Sequence, residues 1–194
     1  MDKLRGKRHK RTENNLMTAS RLADEKHVDW IIQAVIKVHQ QTPSIKLDIF
    51  GTGGAMPKLQ EIIIDNKADD FIKLKGHKDL KKKYKSYYGY VSASQSEGFG
   101  LTLMEAIGSG LPLVGFDVPY GNQTFIDDKS NGFLVPFSTN SEKSIVALTD
   151  GIEKLVNSDQ YDSFKSNSYQ KAEYFLDKNV QNIWEKLVEE VTHD

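Results

Sequence analysis

Short apolar runs alternate with longer amphipathic ones along this chain, and the two periods separate strands from helices. Asn14 to Ala19 reads as a first strand, followed by the polar loop Ser20-Arg21-Leu22-Ala23-Asp24-Glu25-Lys26. Val28, Ile31, Ile32, Val35 and Val38 then recur at helical spacing, which predicts an amphipathic helix over 27–40 that stops at Thr42-Pro43. Ile45 to Phe50 is a second strand, closed by the tight turn Gly51-Thr52-Gly53-Gly54, and Pro57 near its start marks a helix over 56–66. A third strand is expected over Asp70 to Leu74, then Gly76-His77, then a short helix from Lys78 to Lys85 with a lysine-rich face. Tyr88 to Ser92 is the next strand. It runs through a glycine-punctuated turn into a helix from Leu101 to Ser109, which Gly110-Leu111-Pro112 breaks. Leu113 to Phe116 and Gly132 to Val135 complete the strands, and the rest is helical over about 141–157, 160–174 and 178–192.

Strands alternating with helices predict an α/β fold: a mostly parallel sheet with helices on both faces, in three layers. In such open sheets ligands bind beyond the carboxyl ends of the strands. The loops holding Arg21, Gly51, Gly76, Glu97 and Tyr120 each follow a strand, so they are expected to share one rim. Three parts are expected. Residues 1–12, half of them Lys or Arg and without periodicity, form a basic lead-in; residues 13–175 form one domain; residues 176–194 form a last helix.

The densest chemistry lies in Ser96-Glu97-Gly98-Phe99-Gly100-Leu101-Thr102-Leu103-Met104-Glu105-Ala106. Glycines at a strand-to-helix turn let a ligand come close to the backbone, and the first amides of the helix favour an anion. Glu97 and Glu105, eight positions apart, flank that cradle. Carboxylates repel phosphate, so they suit the hydroxyls of a ribose or a sugar, and the whole describes a nucleotide-sugar pocket. Arg21 and Lys26 are cations able to neutralise a diphosphate. On spacing alone the better reading is an ordinary solvated loop. Gly51 opens a turn that is not a dinucleotide fingerprint, since it follows the second strand and lacks the G-x-G-x-x-G spacing. His77 is open to two readings, a loop residue beside a base or a plain surface histidine.

Composition narrows the classes. Formal net charge over 194 residues is −1, so no bulk charge draws the chain to nucleic acid or membrane, and the run Lys81, Lys82, Lys83, Lys85 reads as a solvated face. With no cysteine, thiol chemistry and disulfides are excluded, and five dispersed histidines without a paired spacing predict no metal site. No apolar run approaches the ~20 residues of a membrane span, and a cytoplasmic location is expected.

The pair Glu97…Glu105 resembles the E-x7-E motif of retaining glycosyltransferases with two Rossmann-like lobes, the GT-B fold of family 4 type. The text around it, EGFGLTLMEAIGSGLPLVGFDVPYGNQTFIDDKSNGFLVP, is similar to the donor-binding C-terminal lobe of those enzymes. The resemblance implies that Arg21 and Lys26 bind the donor diphosphate, that Glu105 holds the ribose, and that Glu97 contacts the sugar near the reacting carbon. It also implies that the amides of Phe99, Gly100 and Leu101 cradle the distal phosphate, with Gly51 and His77 lining the donor cleft and no metal ion required. Thr124 stands where many members carry Glu. The PYGNQTFIDD wording resembles enzymes that glycosylate wall teichoic acid and those that start glycosylation of serine-rich bacterial adhesins, whose donors are UDP-glucose or UDP-N-acetylglucosamine. The implied function is the donor-binding half of a transferase whose acceptor-binding N-terminal lobe is not in this sequence, so that the chain alone is expected to be inactive. The alternative is a stand-alone nucleotide-sugar-binding module or a non-catalytic partner subunit.

Overall fold

The computed structural model describes residues 14–96 and 98–175. The basic segment 1–12, Glu97 and the expected helix over 176–194 therefore lie outside the described residues. Among the described residues six strands form one sheet: β1 (Asn14–Ala19), β2 (Ile45–Phe50), β3 (Ile72–Gly76), β4 (Gly89–Ser92), β5 (Leu113–Phe116) and β6 (Gly132–Val135). Every pairing is parallel and the order is β3-β2-β1-β4-β5-β6, the doubly wound arrangement. Chain direction reverses about β1 and β4, so the loops after these two strands diverge and leave a crevice between them.

The helices are α1 (Val28–Gln41), α2 (Met56–Asp65), α3 (Leu101–Gly108), α4 (Asn122–Phe125), α5 (Ser141–Val156) and α6 (Tyr161–Glu173). On one face α1, α2 and α5 bury Ile31, Ile32, Val35, Leu59, Ile63, Leu148 and Ile152 against the strands. A Cβ on Gly151 of α5 would lie 2.6 Å from Val135 and 2.9 Å from Val114, so α5 sits close over β5 and β6. On the other face α3 buries Leu103, Ala106 and Ile107 with Phe125, Ile126, Tyr84 and Tyr90. Helix α6 serves both: Tyr161 and Phe164 near its start join the first core, and Ala172 near its end packs on the second.

Most expected elements fall where the hydrophobic pattern puts them, with three corrections. The third strand starts at Ile72 rather than Asp70, because Phe71 and Ile72 both donate to Ala68 O in a turn. The helix expected over Lys78–Lys85 is instead a set of turns ending in a single 3-10 turn, Tyr84–Ser86. There the Asp79 side chain accepts from Lys81 N, a local bond that competes with a helical ladder, and neighbouring lysines repel. The short α4 is an element the pattern did not signal.

Candidate functional site

The carboxyl ends of β1, β2 and β3 are tied together by main-chain bonds. Ser20 N donates to Phe50 O, Gly51 N to Gly76 O and Leu22 N to Thr52 O. Gly51 is required here twice over. Its φ is +130°, and a Cβ would lie 1.8 Å from Ser20 O. The loops after β1 and β2 thus lie backbone on backbone and form one floor.

Above this floor opens a cleft of about 710 Å³ lined by Arg21, Gly51, His77 and Glu105, four of the predicted site residues, together with Thr102 and Lys81. The volume suits a small ligand such as a nucleotide. Arg21 is not poised freely: it pairs with Glu25, four residues on, at 2.6 Å, with the two side chains 72% and 54% exposed. Hydrogen bonds to its own backbone amide and to Arg21 hold the Glu25 carboxyl below the usual carboxylate range. An exposed pair of this kind is worth little and yields readily to a better anion.

Lys26 does not line that cleft. Its Nζ donates to Ser94 Oγ at 2.9 Å and to Ser96 O at 3.2 Å, reaching the turn after β4. Next to it, His27 stacks on Trp30 at 3.7 Å between ring centroids and meets the Gln95 amide with Nε2. Together Lys26 and His27 clasp the loop after β1 to the turn after β4 across the crevice. Burial pushes the His27 imidazole below its ordinary value, with Asp29 opposing.

Glu105 sits on α3, and its Oε2 accepts from the Tyr84 hydroxyl at 2.8 Å. The Tyr90 hydroxyl accepts from Ala19 N, donates to Ala19 O at 2.8 Å and lies 2.9 Å from Thr102 Oγ1, joining the end of β1 to the first turn of α3. Helix α3 starts at Gly100 with φ +80° and no side chain capping it. Its first amides are therefore outside the helical ladder and not claimed by a cap. Phe99 and Leu101 are 55% and 61% exposed, and neither they nor Gly100 line the cleft, which α3 meets at Thr102 and Glu105. Glu97, predicted as the second carboxylate, lies outside the described residues. The pattern reading missed Tyr84, Tyr90, Thr102 and Lys81. The tyrosines carried no spacing signal, and Tyr84 was absorbed into the expected lysine-faced helix. Among the described residues no cluster of three or more His, Asp or Glu side chains is arranged to hold a metal ion.

An all-parallel, doubly wound sheet with helices on both faces is a Rossmann-like α/β fold, and its solved neighbours are glycosyltransferases of the GT-B fold. The chain belongs to the glycosyl transferases group 1 family, which matches residues 13–158. It is 52% identical over 182 residues to the UDP-N-acetylglucosamine–peptide N-acetylglucosaminyltransferase GtfA subunit of Streptococcus pneumoniae, covering 93% of this chain and 36% of that protein. It is 31% identical over 167 residues to the poly(glycerol-phosphate) alpha-glucosyltransferase of Bacillus subtilis, covering 85% of this chain and 24% of that protein. The crystal structure of the pneumococcal O-GlcNAc transferase GtfA in complex with UDP and GlcNAc superposes with a TM-score of 0.86 at 51% identity, over 95% of this chain and 37% of that one. The chain thus spans little more than a third of the length of the pneumococcal relative.

Proposed function

We propose that this chain is the donor-binding half of a retaining glycosyltransferase that uses a UDP-sugar. The observation that carries the reading is the cleft over the carboxyl ends of β1, β2 and β3 that gathers Arg21, Gly51, His77 and, from α3, Glu105. Arg21 exchanges Glu25 for the donor diphosphate. Lys26, held to Ser94 and Ser96, adds positive charge as the nucleotide leaves. The first amides of α3, at Phe99, Gly100 and Leu101, cradle the distal phosphate, Glu105 accepts from the ribose hydroxyls, and Glu97 faces the sugar. Side-chain cations and oriented amides stabilise the leaving group without a metal ion. The higher identity to the peptide N-acetylglucosaminyltransferase than to the glucosyltransferase favours N-acetylglucosamine and a protein acceptor over glucose and a wall polymer. The acceptor is held by an N-terminal lobe, which closes on the donor, so this chain alone binds nucleotide and transfers nothing. A cytoplasmic location follows from the nucleotide-sugar donor.

The test is calorimetric titration of the chain with UDP, GDP and ADP, then UDP-glucose and UDP-N-acetylglucosamine. UDP binds in preference to the other two, and EDTA leaves the affinity unchanged. Arg21→Ala and Lys26→Ala each weaken it by about 1–3 kcal/mol, the scale of a hydrogen bond to a charged group. Equal binding of the three nucleotides, or unchanged affinity in both variants, removes the assignment.

A further inference from the structure

Tyr84 is 1% exposed while the lysines on either side of it stay in solvent. Its ring packs near Tyr90, at 6.5 Å between centroids, and its hydroxyl emerges only at Glu105 Oε2. A glutamate's terminal torsion is broad, so an untethered carboxylate samples many orientations. At Glu105 two cavities compete for it. One is the 710 Å³ cleft; the other is a groove of about 300 Å³ on the far side, walled by Tyr84, Met104, Ala172 and Phe175. Lys81 lines both and is a competing cation. The Tyr84 hydroxyl is the group that holds one carboxylate oxygen in the partition between them.

We propose that Tyr84 is a positioning residue for the nucleotide: its hydroxyl pins Glu105 Oε2 so that Oε1 is presented to the two ribose hydroxyls. This rests on the donor-binding reading above. A phenol serves here because it keeps its proton. Burial first, then the neighbouring Tyr90 and Glu105, push its ionisation far above the ordinary tyrosine value, so it donates at every physiological pH. The carboxylate accepts from Tyr84 on one oxygen and from ribose on the other, which uses both oxygens without leaving a donor unpaired.

The test compares UDP with 2′,3′-dideoxy-UDP on the 194-residue chain. The wild-type protein binds UDP more tightly than the dideoxy nucleotide. Tyr84→Phe lowers affinity for UDP about tenfold, the loss of roughly one charge-assisted hydrogen bond, and leaves the dideoxy nucleotide untouched. In a Glu105→Ala background Tyr84→Phe has no further effect. Equal losses for both nucleotides, or a loss that persists without Glu105, overturn the proposal and leave Tyr84 a packing role. A second measurement needs no variant: the Tyr84 hydroxyl proton, followed by NMR in the wild-type chain, shifts with UDP and stays in place with the dideoxy nucleotide. A proton unmoved by UDP also overturns the proposal. Wild-type protein that binds neither nucleotide defeats the donor-binding reading itself and this proposal with it. Wild-type protein that binds both equally spares that reading and defeats the ribose contact.

Discussion

Two pairs of buried tyrosines lie on opposite faces of the sheet, and they do different work with the same group. Tyr88 and Tyr161 pack with their rings tilted and 4.4 Å between centroids, at the start of β4. Their hydroxyls bond main-chain carbonyls, Tyr161 to Tyr88 O at 2.7 Å and Tyr88 to Leu155 O at 3.3 Å. Tyr84 and Tyr90 lie in the second core, and their hydroxyls bond groups that line the cleft, Glu105, Ala19 and Thr102. The first pair joins α6 and α5 to β4. The second joins β1, α3 and the 3-10 turn at Tyr84 around a ligand space. Whether a buried phenol matters to the fold or to the site is decided by the far end of its hydrogen bond, not by its burial.

The comparison breaks most visibly at Tyr161. Tyr161→Ala empties a site in the larger core and lowers unfolding stability by about 3–5 kcal/mol, while UDP affinity of the folded fraction stays unchanged; denaturant titration beside calorimetry reads both. A parallel loss of UDP affinity erases the distinction between the two pairs. Tyr90→Phe removes one hydroxyl and leaves Ala19 and Thr102 without their shared partner. It costs about 1–3 kcal/mol of stability and, unlike Tyr161→Ala, weakens UDP as well. The smallest effect falls on the clasp between the two cleft-side loops. His27 is held neutral, its folded value below the ordinary one, so the unfolded chain takes up the proton first. Stability is therefore complete above the ordinary histidine value of about 6.5 and falls as pH drops through it, down to the lower folded value. Melting temperatures between pH 7.5 and 5 show this loss in wild-type protein and a shallower one in His27→Gln; matching slopes remove His27 from the account.

The sheet was legible because its strands are continuous apolar runs and its helices carry a clear 3.6 period. Asn14–Ala19, Ile45–Phe50, Leu113–Phe116 and Gly132–Val135 stand where the pattern puts them. The stretch over 78–86 was not, because helical spacing of lysines says nothing of the Asp79 turn or of the one tyrosine drawn inward. Part of the site was legible by the same logic. Of the loops expected to share one rim, those holding Arg21, Gly51 and Gly76 meet at the cleft, through Arg21, Gly51 and His77, and Glu105 joins them from α3; Tyr120 does not line it. What spacing does not show is direction. Lys26, read beside Arg21 as a second cleft cation, reaches across to Ser94 instead. The tyrosine hydroxyls that back the cleft come from 3-10 and strand positions that no motif marks.

The segment matched to the glycosyl transferases group 1 family ends at residue 158, yet the packing does not. Beyond that point α6 begins beside Tyr88, passes Leu111, where Ser168 Oγ donates to its carbonyl, and finishes against α3. Tyr169 lies so close to Gly110 that a Cβ there would meet its ring at 2.4 Å. The helix acts as a strap passed from one side of the sheet to the other, and a piece cut at the family boundary would come unbuckled on both sides at once. The matched segment and the unit of mechanical integrity end at different residues, and excision belongs after the strap.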